Sequence, residues 1–348
     1  MKIKDILAHL ESIAPPSYQE NYDNAGLITG SREWEVKGAL CCLDTTEEVI
    51  DEAIQKGCNL VVAHHPIVFK GLKRLNGNNY VERTVIKAIR HEVAIYAIHT
   101  NLDNMLYRGV NSKIAERLGI VNTRVLAPKT ALKKLAVLVP ASETEQVRAA
   151  LFSAGAGTIN GFDRLSYAGL GVLTQGGSAT AHLKLEVVFP GGNQGAVLGA
   201  LHKVAPSAHF EITSLENSSL DIGAGLIGEL PKPARELDFL KKVKKEMKAG
   251  CVRHTQLTGR PIKTVALCGG AGSFLLPQAI RQKADVYITG DFKYHEFFDA
   301  EGKLVIADIG HFESEQFTID LLQEIILEKF PTFAPLKTEV NTNPVLYL

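Results

Sequence analysis

The sequence of 348 residues predicts an α/β fold: a discontinuous α/β domain with a mostly parallel sheet, interrupted by an inserted ferredoxin-like α+β domain. Three observations carry this expectation. The length exceeds that of a usual single domain, so a second domain or a large insertion is expected. Apolar runs alternate with helical patterns in the first third of the chain and again in the last third. Between them the texture changes.

In the first part, "KGALCCLD" reads as a strand, and "TEEVIDEAIQKG" as a helix capped by Thr45 or Thr46 and ended by Gly57. The strand "NLVVAHHP", the helix "YVERTVIKAIRHE", the strand "VAIYAIHT" and the helix "GVNSKIAERLG" follow. This is the rhythm of a sheet whose faces are covered by helices. From 129 to 231, "KKLAVLVP", a helix over "SETEQVRAALFSAGAG", then "HLKLEVVFP", "GAVLGALHKVAP" and "HFEITSLE" suggest two β-α-β halves of a ferredoxin-like unit. The prolines of "PKPARELD" mark the exit, and "KTVALCGG", "ADVYITGD" and "KLVIADIG" resume the first rhythm. The expected domains are therefore 1–128 and 232–348, two halves of a metal-binding α/β domain, with 129–231 inserted between them.

Composition narrows the function classes. Lysine plus arginine equals aspartate plus glutamate, 38 each, so no global field favours nucleic acid or an anionic membrane surface. The run "KKVKKEMK" interleaves its lysines with Leu240, Val243 and Met247 and reads as a solvated helix face. Five cysteines without a CxxC point to a reducing cytosol rather than a disulfide framework. The N-terminus lacks a secretory apolar stretch and no apolar run reaches spanning length, so a cytoplasmic protein is expected.

Chemistry concentrates at the strand ends, where open α/β sheets bind ligands. "LVVA" delivers His64 and His65, "VAIYAI" delivers His99 with Asp103 soon after, "DVYIT" delivers Asp291 with His295 following, and "LVIADIG" delivers His311 and Glu315. His311 and Glu315 stand four residues apart, which on a helix places them on one face, and Gly310 permits the turn before them. Neutral imidazole and carboxylate oxygen are the donor set of zinc, manganese, iron(II) and cobalt sites. Five side chains, His64, His65, Asp103, His311 and Glu315, exceed the needs of one open site. Two divalent metal ions per chain sharing a carboxylate are expected, an arrangement suited to hydrolysis. His295 and His99 are the candidate proton shuttles.

Three motifs are set against this cluster. "GAGLIG" fits GxGxxG, but no apolar strand precedes it and prolines follow, so it reads as a glycine-rich hinge. "HEFFD" has Asp299 where a zincin needs its second histidine. "CGGAGS" is either an anion cradle or a tight structural turn.

"AHHP", "IHTNLD", "GDFKYHE" and "DIGHFESE", in this order and flanking a long insertion, resemble the GTP cyclohydrolase 1 type 2 homologues, the NGG-one-interacting-factor-like proteins. "NYDNAGLITG" and "NTNPV" extend the resemblance over nearly the whole chain. It implies a dinuclear metal centre on His64, His65, Asp103, His311 and Glu315. It also implies an inserted domain similar to the CutA and PII proteins and assembly into a hexameric ring. Tyr22 stands where the family usually has tryptophan, and Leu226 where arginine is frequent. Two functions follow as expectations: a metal-dependent hydrolase of a small nucleotide, heterocycle or phosphoester, or a metal- or metabolite-responsive binding protein.

Overall fold

Short runs of four apolar residues, each buried along its whole length, form the strands nearest the candidate residues, as expected where helices cover both faces of a sheet. The computed structural model describes residues 1–175 and 178–348, and of 172–175 and 178–181 the backbone alone. It divides into two compact units, Met1–Ala127 with Gly223–Leu348, and Pro128–Ile222.

The larger unit opens with α1 (Ile3–Ile13), whose Ile3, Ile6, Leu7 and Leu10 recur at helical spacing and are buried. Strands β1 (Gly26–Thr29) and β2 (Ala39–Cys42) follow, then α2 (Glu47–Gln55), where the Thr46 hydroxyl accepts from Val49 N–H. After β3 (Leu60–Ala63) comes α3 (Tyr80–Arg90), capped by Asn79, and then β4 (Ala94–Ala97). The short α4 (Thr100–Asp103) precedes α5 (Val110–Leu118), which stops at Gly119 in the left-handed conformation. Strand β5 (Val121–Pro128) ends this half.

The smaller unit runs β6 (Leu132–Pro140), α6 (Thr144–Ser153), β7 (Ser166–Gln175), β8 (Ser178–Pro190), α7 (Gln194–Val204) and β9 (Phe210–Ser214). Its four strands lie in the order β7-β8-β6-β9, each neighbouring pair antiparallel. Leu135, Val137, Leu151, Leu185, Phe189 and Leu201 belong to its own core. Strand β7 escaped the sequence reading because Gly169 and Gly171 break its apolar pattern.

The chain returns with β10 (Gly223–Ala234), α8 (Glu236–Glu246), β11 (Arg253–His254), β12 (Ile262–Ala271) and α9 (Leu276–Arg281). Strand β13 (Val286–Gly290), β14 (Val305–Asp308), α10 (His311–Glu315), α11 (Thr318–Lys329) and β15 (Leu336–Lys337) complete it. In α8 the lysines of "KKVKKEMK" are exposed while Phe239, Leu240, Val243 and the following Met247 are buried.

Two corrections follow. The larger unit carries two mixed sheets, β1-β4-β3-β2-β15 and β11-β14-β13-β12-β10-β5, where one was expected. Both alternate with helices, and local periodicity cannot say which strands share a sheet. The second correction concerns "GAGLIG", which is strand rather than hinge: Leu226 pairs with Leu267 and Ile227 with Ala266 across β10 and β12. A Cβ at Gly228 would lie 2.7 Å from Val121 O, so the glycine serves close strand approach. The smaller unit accordingly ends at Ile222 rather than at 231, and Leu226 is a core residue. Among the described residues, no helix is long and apolar enough to cross a membrane.

Candidate metal centre

The carboxyl ends of β3 and β4 from one sheet, and of β12, β13 and β14 from the other, supply the candidate residues. The chain leaves β14 at Asp308, whose Oδ1 accepts from Gly310 N–H at 3.0 Å. Gly310, with φ of 93°, then turns the backbone into α10. One helical turn brings His311 Nε2 to 3.1 Å from Glu315 Oε2.

Each imidazole is fixed through Nδ1, leaving Nε2 directed at the carboxylates. His64 Nδ1–H donates to the Ile98 carbonyl (2.9 Å), His65 Nδ1–H to Asp44 (2.7 Å) and His311 Nδ1–H to Asp291 (2.7 Å). This is the support that ligating histidines ordinarily receive from carbonyls and carboxylates. His65 Nε2 lies 3.0 Å from Glu315 Oε2, while His64 Nε2 lies 3.5 Å from Asp103 Oδ1 and 3.7 Å from Glu315 Oε1. Beside an all-imidazole group, His64/His65/His99, two carboxylate-bearing triads result, His65/His311/Glu315 and His64/Asp103/Glu315, with the ligand atoms of each within 4.8 Å of one another. They share Glu315.

These residues fit a divalent metal. His64 Nε2 and Asp103 Oδ1 are buried without a hydrogen-bond partner, an arrangement that is costly unless something completes it. The glycine of "CGG" makes room, because a Cβ on Gly270 would lie 2.5 Å from Glu315 Oε1.

The electrostatics agree. Burial pulls the His65 imidazole down, but hydrogen bonds to Asp44 and Glu315 outweigh it and lift its pKa to about 10. Burial likewise opposes, and Glu315 and Asp291 overcome it, at His311, which rises to about 11. Burial and the Glu315 carboxylate push Asp103 above the usual carboxylate range. Carboxylates that hold protons this firmly on neighbouring imidazoles also attract cations.

The structure thus brings together His64, His65, Asp103, His311 and Glu315, with His99 beside them. The His99 ring centroid lies 5.3 Å from those of His64 and His65, and its Nδ1–H donates to Asp23 at 2.8 Å. It lines a cavity of about 480 Å³ together with His65, Asp103, His311 and Glu315. His295 is not brought there. It sits on the exposed turn Tyr294–Ala300 with its ring against Tyr294, because the left-handed Asp291 and the buried Phe292 redirect the chain after β13. The sequence reading missed Asp44 and Asp23 as supports. Asp44 stands just beyond β2, so the strand-end rule that found the others could have found it, whereas Asp23 lies in a loop without periodicity.

"CGGAGS" is strand rather than turn as far as Ala271: Cys268–Ala271 end β12, whose pairing with β13 shifts register between Leu267 and Ala271. Gly269 N–H donates to Asn111 Oδ1 and Gly270 N–H to the Ser314 hydroxyl, both at 2.9 Å, so these two amides are already committed.

Comparison with known proteins matches residues 1–344 to the model of the family described as Duf34/NIF3 (NGG1p interacting factor 3). A "GTP cyclohydrolase 1 type 2 homolog" of Bacillus subtilis (strain 168) is 33% identical, the alignment covering 99% of this chain and 98% of that protein. The crystal structure of a Bacillus cereus protein related to NIF3 superposes with a TM-score of 0.86 at 32% identity, covering 100% of this chain and 99% of the other. A Staphylococcus aureus protein of known structure gives a TM-score of 0.80 at 28% identity, with 100% and 99% covered. The chain belongs to the Duf34/NIF3 family.

Proposed function

We propose that the protein is a metal-dependent hydrolase of a small molecule, holding two divalent ions per chain. The observation that carries this reading is the sharing of Glu315 between two triads, its Oε1 3.7 Å from His64 Nε2 and its Oε2 facing His65 and His311, with Asp103 completing the His64 triad. Divalent ions bound there would polarise a substrate oxygen and lower the pKa of water toward neutrality. Zinc, manganese, iron(II) and cobalt all suit these donors. Asp44 and Asp291 orient His65 and His311, and Asp23 holds His99 at Nδ1 so that Nε2 can exchange a proton beside the cavity. His99 is therefore the shuttle proposed, in place of His295. A relative named "GTP cyclohydrolase 1 type 2 homolog" places heterocycle ring opening among the reactions to test.

The strand order of the smaller unit supports reading it as ferredoxin-like. Assembly into a hexameric ring and a cytoplasmic location belong to the same proposal.

Elemental analysis after reconstitution with zinc, manganese or iron(II) should find about two ions per chain, and a broad substrate screen of the loaded protein should find turnover. Wild type that takes up none of these metals overturns the reading of the site. Full loading with no turnover across the screen overturns the hydrolase and leaves a metal-responsive binding protein.

A further inference from the structure

Asp103 and Glu315, the two carboxylates of one triad, stand on pieces of chain too short to hold themselves. Asp103 ends α4, four residues long, and Glu315 ends α10, five residues long. Helices shorter than about 12 residues are marginal in water unless something packs or bonds against them. Each turn therefore takes its place from its neighbours, and one neighbour serves both: the end of β12 at Gly269 and Gly270.

A line of hydrogen bonds runs from one carboxylate-bearing turn to the other. The Asn111 side-chain Nδ2–H donates to the Asp103 carbonyl at 2.9 Å, and Asn111 Oδ1 accepts from Gly269 N–H at 2.9 Å. The next amide, Gly270 N–H, donates to the Ser314 hydroxyl at 2.9 Å, and that hydroxyl donates to the His311 carbonyl at 2.7 Å. Asn111 lies in the first turn of α5 and Ser314 within α10, and both are buried. Asn111 uses both ends of its amide, and Ser314 both accepts and donates; buried polar groups engaged in this way fix the elements they join. The strand end also touches the shared carboxylate, since a Cβ on Gly269 would lie 3.3 Å from Glu315 Cγ.

We propose that Asn111 and Ser314 are positioning residues, which set the separation of Asp103 from Glu315 by clamping the consecutive amides of Gly269 and Gly270. The proposal rests on the two-ion reading of the triads. A ligand set works only while its donors stay within about 0.5 Å of their places, and His64 Nε2 and Asp103 Oδ1, buried 3.5 Å apart, are the donors left without a partner. The two residues act on different parts of the site. Asn111 ties Asp103, which belongs to one triad, whereas Ser314 ties the turn carrying His311 and Glu315, which between them serve both.

The test is stepwise calorimetric titration of the metal-free, full-length protein with zinc. Wild type should bind about two ions per chain. Asn111→Ala should weaken one binding step by about 10- to 100-fold, the range for lost support of a ligand, and leave the other as in wild type. Ser314→Ala should weaken both steps. Asn111→Gln keeps the amide but lengthens its reach, so it should weaken the same single step, and it decides the matter if circular dichroism shows the metal-free alanine variant to be unfolded. Asn111 variants that bind both ions as tightly as wild type, whatever their stability, overturn the proposal and leave the two-ion reading standing. Equal weakening of both steps in the Asn111 variants also overturns it, because general loosening of the fold gives that result, and so does a Ser314→Ala protein that spares either step. Wild type that binds fewer than two ions overturns the two-ion reading itself, and the proposal with it.

Discussion

The Thr342 hydroxyl donates a 2.7 Å hydrogen bond to Asp44 Oδ2, although 298 residues separate them. Asp44 Oδ1 in turn accepts from His65 Nδ1–H, so the C-terminal segment reaches a candidate ligand through one carboxylate. Asn343, Pro344, Val345 and Tyr347 continue this segment along a second cavity, of about 590 Å³, that also touches His65 and His311. Asn343 is anchored there by donating to Glu313 Oε1 at 3.1 Å.

Asp44→Asn should therefore weaken metal affinity by about 10- to 100-fold, the range seen when a ligand's supporting hydrogen bond is lost. Thr342→Val, one bond further out, should weaken it less. Competition against a chelator of known affinity measures both, and unchanged affinity in Asp44→Asn would remove it as a support of His65.

Sharing of Glu315 predicts an unequal pattern of metal loss. His64→Ala and His311→Ala each disable one triad and should leave about half the wild-type content, because the other triad keeps its three donors. Glu315→Ala removes a donor from both and should abolish most of it. Elemental analysis of the three proteins decides, and equal losses would mean the triads do not hold separate ions.

The raised pKa values of His65 and His311, to about 10 and about 11, make metal uptake proton-coupled. At neutral pH both imidazoles of the metal-free protein carry a proton on Nε2 that a metal must displace. Uptake at pH 7.5 should release about two protons per chain, read as the dependence of calorimetric enthalpy on buffer ionisation. The sign for stability is opposite. These raised groups stabilise the metal-free fold fully below their ordinary value of 6.5, and that contribution is lost as pH rises through about 10. Metal-free protein should lose stability to denaturant between those limits, and loaded protein should not show that dependence.

The smaller unit should be dispensable for metal binding. Its entry and exit run side by side, with Lys129 N–H donating to the Ile222 carbonyl at 2.9 Å, so a short linker can join Ala127 to Gly223. All triad residues lie in the other unit. A soluble, folded protein lacking 128–222 should keep the metal content of the full chain. If it bound none, the site would depend on the excised unit.

Much of this was legible in the sequence because it is local. Apolar runs such as "LVVA" and "VIAD" announce buried strands, Thr46 and Asn79 stand where caps belong, and His311 and Glu315 are joined by one helical turn. Strand ends also told where histidines and carboxylates would gather, so the five triad residues could be named without coordinates. What only the tertiary structure decided is long-range. Periodicity carries no information about which strands pair, so the two sheets, the pairing of β10 with β12 and the meeting of His65 with Glu315 across 250 residues needed the folded chain. Direction was hidden too. His295 follows a strand end as His99 does, but the backbone at Asp291 turns one outward, while the bond to Asp23 holds the other beside the cavity. The supports Asp44, Asp23 and Thr342 act through single hydrogen bonds from remote segments, and such bonds leave no repeat in the sequence by which to read them.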